Sequence, residues 1–196
     1  MNADDVVPLQ PPRPTALAQL ILREVLREGD LTIDATAGNG HDTMFLAGRV
    51  GAGGRVLAFD VQAAALEAAR ARVTAAGLAE RVVFLQESHA GMAARAARGS
   101  VAAVMFNLGY LPGQDHALIT EAASTLAGLN GAAELLKPGG VLAVVCYPGH
   151  PGGEVETAAV VQWFESLASR RWQVARYGTL ATLRPAPFLL LGSKCA

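Results

Sequence analysis

The stretch Asp34-Ala-Thr-Ala-Gly-Asn-Gly-His-Asp-Thr43 restricts the fold of this chain more than any other part of it. It follows a short apolar run, Leu31-Thr-Ile33, and precedes Met44-Phe-Leu-Ala-Gly-Arg-Val50, so it reads as strand, tight glycine turn, helix. An α/β sheet presents backbone N–H groups and a helix N-terminus to a polar ligand in this way. Gly38 and Gly40 let the backbone turn sharply and let the ligand come close, because neither carries a Cβ. Asp34, at the strand end, is expected to accept hydrogen bonds or to face a cation.

A dinucleotide turn has the pattern G-x-G-x-x-G/A, whereas Gly38-Asn-Gly40-His-Asp-Thr43 has Thr in the third place, which weakens that reading. The next acidic residue carries more information. Asp60 ends the apolar run Arg55-Val-Leu-Ala-Phe59 and lies 20 residues past Gly40. An acid at that distance accepts hydrogen bonds from ribose hydroxyls, whether the ribose belongs to NAD or to S-adenosylmethionine.

With 196 residues and 52% hydrophobic content, the chain can bury one good core but is too short for a nucleotide domain plus a separate substrate domain. A Pro-rich arm over 1–14 followed by a single domain over 15–196 is expected. No apolar run approaches the roughly 20 residues needed to cross a bilayer, and the N-terminus is acidic. A cytoplasmic protein without a membrane partner is therefore expected. Cys146 and Cys195 suggest neither a disulfide framework nor a zinc site, and no metal is expected. The formal net charge of −1 argues against a broad nucleic-acid footprint, although 14 of the 16 basic residues are Arg and a local patch stays open.

Along the chain, Thr15 is expected to cap a helix with Leu17, Leu20, Ile21 and Val25 at helical spacing, ending near Gly29. The glycine turn leads into a helix over 41–50. Strand two is 55–60, a helix follows over 62–76, and strand three is 81–85. A short Ala-rich helix reaches about Arg98. Strand four, 101–106, is apolar throughout, as for a central parallel strand. No period is evident from Asn107 to about Ala123. A helix over 124–136 is expected to stop at Lys137-Pro-Gly-Gly140, before strand five at 141–147 and a helix over 154–169. The last two strands, about 172–179 and 186–192, are too close for a parallel crossover and must pair antiparallel. Five parallel β-α units ended by a hairpin is the layout of the class I methyltransferases, a Rossmann-like α/β fold with a seven-stranded, mostly parallel sheet. That layout turns the ligand reading toward S-adenosylmethionine.

Conspicuous polar groups follow each strand: Asp34 and Asn39, then Asp60, Ser88-His89, Asn107 to Tyr110, and His150. In a parallel sheet these strand ends share one edge, so the residues are expected to line one crevice. Asn107-Leu-Gly-Tyr110 resembles the Asn-Pro-Pro-Tyr motif of amino methyltransferases, with Leu-Gly in place of Pro-Pro. In that motif the Asn oxygen and a backbone carbonyl accept hydrogen bonds from an amine and aim its lone pair at the methyl sulfonium. Tyr110 offers a flat face to a base or a positive charge. An alkyl amine is mostly protonated at neutral pH, and Asp115, His116 and His150 are the candidates to receive its proton.

The glycine turn, Asn107-Leu-Gly-Tyr-Leu-Pro-Gly113 with Asp115-His116, and Tyr147-Pro-Gly-His-Pro-Gly-Gly153 together resemble the family labelled rRNA methylases. Its characterised members are similar to wobble-position tRNA methyltransferases acting on 5-aminomethyl-2-thiouridine. The resemblance covers roughly 15–192, with Gln114 in place of the usual Gly and Gln19 where His is frequent. It implies S-adenosylmethionine as cofactor, held by the turn (Asp34, Gly38, Asn39, Gly40, Asp42 and Thr43) and by Asp60, Gln62, Ser88, His89 and Asn107. It implies a substrate end formed by Asn107, Tyr110, Asp115, His116 and His150, and the anticodon region of tRNA as partner. A homodimer is compatible with this reading. Methylation of another RNA such as rRNA, methylation of a small amine, and a non-catalytic S-adenosylmethionine-binding module are the alternatives.

Overall fold

The computed structural model describes residues 10–109, 122–149, 152–167 and 171–195. Seven strands form one sheet in the order β3-β2-β1-β4-β5-β7-β6. They are β1 (Leu31–Asp34), β2 (Arg55–Asp60), β3 (Val82–Gln86), β4 (Val101–Leu108), β5 (Leu136–Cys146), β6 (Trp172–Gly178) and β7 (Phe188–Lys194). The ladders β3-β2-β1-β4-β5 are parallel, and β7 runs antiparallel to both β5 and β6. This is the expected mostly parallel sheet closed by a hairpin.

The helices are α1 (Pro14–Val25), α2 (His41–Val50), α3 (Ala63–Ala75), α4 (Ala122–Leu135) and α5 (Gly153–Leu167), with short 3-10 turns at Ala79–Arg81 and His89–Ala94. Both sheet faces are covered. In β4 and β5, Ala103, Met105, Val141, Ala143 and Val145 pack on Ala18 and Leu22 of α1 and on Leu46 and Val50 of α2. The alternating residues Val104, Phe106, Leu142 and Val144 pack on Leu129 and Leu135 of α4 and on Val160 and Phe164 of α5. The period of two thus assigns each strand residue to one helical layer. No helix among the described residues is long and apolar enough to cross a membrane.

Several boundaries differ from expectation. Pro14, not Thr15, begins α1, and Arg13 at its N-cap is extended with ψ 149°; a proline is preorganised for the first helical position and biases the residue before it to β space. β4 continues through Asn107 and Leu108 because both still pair with β5. Lys137-Pro-Gly-Gly140 does not separate helix from strand. Leu136 already pairs with Val101, and the register resumes at Val141 opposite Ala103, so these residues form an irregularity within β5, with Gly139 at φ +77°. Lys137 Nζ donates to Asp30 Oδ1 at 2.6 Å there. The start of α1 is tied to the hairpin, where the Tyr177 hydroxyl donates to the Pro12 carbonyl at 2.8 Å.

Candidate functional site

The sheet order reverses between β1 and β4, and the crevice of an open α/β sheet lies at that switch, outside the carboxyl ends of the strands. The turn after β1 is fixed to both neighbouring strands. Ala35 N–H donates to Met105 O and Ala37 N–H to Phe59 O, each at 2.8 Å, and Gly38 N–H donates to Asp60 Oδ2 at 2.9 Å. Gly38 and Gly40 have φ of +48° and +78°, the left-handed region that glycine enters without a Cβ penalty. Gly40 also caps α2. The exposed Asn39 is held by its backbone, whose carbonyl accepts from Arg72 Nε at 2.6 Å.

Asp60 ends β2 half-buried, and Oδ1 accepts from Gln62 N–H at 2.9 Å. Each carboxylate oxygen can accept again after its backbone bond, so the donor set fits a pair of ribose hydroxyls. The open α2 N-terminus and the two left-handed glycines fit the polar amino-acid end of the same ligand. S-adenosylmethionine therefore fits the residues present: Gly38, Asn39, Asp60 and Gln62 would hold it.

Several of the expected contact residues lie inward of the turn. Asp34, Asp42 and Thr43 are 1%, 6% and 0% exposed, so they support the turn from beneath rather than facing a ligand. Asp34 Oδ2 accepts from the Thr43 hydroxyl at 2.5 Å and Oδ1 from Thr36 N–H at 3.1 Å. The cause is helical: Asp42 and Thr43 occupy the first turn of α2 on its sheet side. His89 is also placed behind the turn, 7% exposed, with Nδ1 3.1 Å from the Ala35 carbonyl and its ring edge-on to Phe106 at 5.3 Å. Burial pushes its pKa down and so favours the neutral ring. Ser88 caps the following 3-10 turn through Ala90 N–H at 3.2 Å.

At the end of β4, Asn107 N–H donates to the Thr36 hydroxyl at 2.7 Å. Its side-chain Nδ2 donates to Asp42 Oδ2, and its Oδ1 accepts from the Tyr147 hydroxyl at 3.2 Å. Gln19 of α1 donates to the other Asp42 oxygen at 2.8 Å. Tyr147, Thr36 and Gln19 are not among the expected site residues; for Gln19 the available signal is that it stands where His is frequent in the family the chain resembles. Tyr110, Asp115, His116 and His150 lie outside the described residues.

Burial first, and the neighbouring Asp42 carboxylate second, push the Asp34 pKa up to about 7. Burial also raises Asp42, opposed by its hydrogen bonds from Gln19 and Asn107. Between pH 4 and 7 the folded protein thus holds a proton that the unfolded chain has released, and the stability of the ligand-free protein is expected to fall as pH rises through that window. The effect is on the order of a few kcal/mol. Calorimetric Tm values from pH 5 to 8 should decline, and Asp34→Asn should flatten the slope, since the Thr43 hydroxyl can turn to accept. An unchanged slope in that variant would refute the assignment.

Residues 56–192 match the family model described as Putative rRNA methylase. A tRNA (mnm(5)s(2)U34)-methyltransferase of Arabidopsis thaliana, described as chloroplastic, is 37% identical over 175 residues; the match takes in 85% of this chain and 64% of that protein. A Clostridium thermocellum crystal structure bearing the family's description superposes with a TM-score of 0.90 at 34% identity, over 95% of this chain and 100% of that one. A putative methyltransferase of Streptococcus mutans, solved with SAH, gives 0.85 at 33% identity over 94% and 99%.

Proposed function

The chain belongs to the Putative rRNA methylase family of S-adenosylmethionine-dependent methyltransferases, and from that premise we propose that it methylates the 5-aminomethyl group of wobble 5-aminomethyl-2-thiouridine in tRNA. The observation that carries this reading is the Asn107 side chain, held at the end of β4 with its NH2 on Asp42 and its oxygen toward Tyr147. The Arabidopsis relative's named substrate supports the same choice.

S-adenosylmethionine supplies the electrophilic methyl group. The chain's own residues hold the amine. Asn107 Oδ1 would accept an N–H of the neutral amine and leave the nitrogen lone pair free to take the methyl group, whose bond to the sulfonium sulfur breaks with its electron pair left on sulfur; the methylated ammonium then gives up an N–H proton to water or a nearby base. Positioning of this kind supplies most of the rate when the nucleophile needs no further activation. The RNA partner is the anticodon region of tRNA, met in the cytoplasm. A cavity of about 740 Å³ beside Pro148, with the Arg176 guanidinium 3.8 Å above the Phe188 ring, suits a flanking base.

The formal net charge of −1 favours a second reading, methylation of a small amine, over any RNA substrate. Labelled S-adenosylmethionine and bulk tRNA from cells lacking this gene separate the two. After digestion to nucleosides, label is expected on 5-methylaminomethyl-2-thiouridine. Cofactor binding without any labelled tRNA nucleoside would overturn the tRNA assignment.

A further inference from the structure

Asn107 stands where two helices and two strands meet on one face of the sheet. Ala103 and Met105 of β4, and Ala143 and Val145 of β5, face α1 and α2. Two residues further along each strand, the same alternation brings Asn107 and Tyr147 to that face, where α1 contributes Gln19 and α2 contributes Asp42. The result is a continuous chain of hydrogen bonds: Gln19 to Asp42, Asn107 to Asp42, Tyr147 to Asn107.

We propose that Asp42 and Gln19 are positioning residues that act through Asn107, and that with Tyr147 they set which end of the Asn107 amide meets the substrate amine. The inference rests on the amine reading above. The two ends of an amide are nearly equal in shape but opposite in polarity: the oxygen accepts an amine N–H, whereas the NH2 opposes it. A carboxylate can only accept, so Asp42 Oδ2 selects the NH2 end. Gln19 occupies Asp42 Oδ1 and holds the carboxylate in that orientation. The Tyr147 hydroxyl uses one lone pair of Asn107 Oδ1 and leaves the other for the amine. Asp42 contributes to the reaction without touching substrate or cofactor.

Asp42→Asn tests this directly. It leaves Gln19 and Asn107, both donors, aimed at a side chain with one acceptor oxygen, so one of them must turn over. The expected result is a kcat roughly 10- to 100-fold lower, with S-adenosylmethionine affinity unchanged by calorimetry. Gln19→Leu, at a half-buried helix position, should give a smaller loss of the same kind and guards against a folding failure of the first variant. In an Asn107→Ala background Asp42→Asn should cost nothing more, because its partner is gone; a role confined to the scaffold would make the losses multiply. Undiminished kcat in both single variants, multiplying losses, or a parallel loss of cofactor affinity would overturn the proposal. The assay uses tRNA, and a panel of small amines where tRNA takes no label. A wild-type protein that methylates neither removes the amine reading and this inference with it, whereas an active wild type with an impaired Asn107→Ala and a normal Asp42→Asn removes this inference alone.

Discussion

Asn107→Ala is expected to lower kcat by roughly 100- to 1,000-fold, the scale seen when one positioned polar group is lost from a reacting centre, while S-adenosylmethionine still binds. The two effects separate because the residue's backbone and side chain have different duties. The backbone N–H on the Thr36 hydroxyl and the ladder to β5 persist in the variant. The turn that carries Gly38 and Asp60 is fixed through other atoms. The lost amide leaves Asp42 with Gln19 as its remaining side-chain donor, so a stability cost of about 1–3 kcal/mol accompanies the change. Single-turnover methyl transfer alongside titration calorimetry checks both halves. Full kcat in the variant would show that the amine is held elsewhere.

The second large effect is expected at Gly40. Its φ is +78°, and a Cβ there would lie 2.6 Å from Ala69 Cα and 2.9 Å from Ala69 Cβ. The obstacle is the backbone of α3, which cannot rotate aside. Gly40→Ala combines left-handed strain with overpacking, together roughly 3 kcal/mol, or about 10 °C in Tm for a chain of this size. The variant must also move the turn away from Asp60, so cofactor affinity should fall at least about tenfold, the equivalent of 1.4 kcal/mol. Gly77 supplies the control: its φ is +69°, but nothing lies within 4 Å of an added Cβ. Gly77→Ala should cost only the strain, about 1 kcal/mol, and leave the cofactor site intact. Equal losses in the two variants would refute the packing argument.

The same contrast between backbone rules and packing explains how much was legible in the chain itself. Helix 41–50 and strand 55–60 were readable to the residue because Gly40, Gly51 and Gly54 bracket them. The hairpin followed from the short gap before β7. The bulge at Lys137–Gly140 was not legible, since Pro-Gly-Gly marks a turn equally well between elements or inside a strand. In the site, residue types were readable but their facing was not. Asp34, Asp42 and Thr43 belong to the turn as expected, yet they point inward. Tyr147 shares a face with Asn107 by the simple alternation of a strand, but that matters only once α1 and α2 are known to cover that face.

The tie between Tyr177 and Pro12 bears on how the two ends of the crevice are held. The cofactor end is stitched by Gly38 to Asp60, a separation of 22 residues. α1, which carries Gln19, takes its seat partly on Leu189 of β7 and through a hydrogen bond spanning 165 residues. Loop closure over the longer span is entropically dearer. The seat of Gln19 thus depends on a contact between two distant parts of the chain, whereas the Gly38–Asp60 bond lies within a single β-α-β unit.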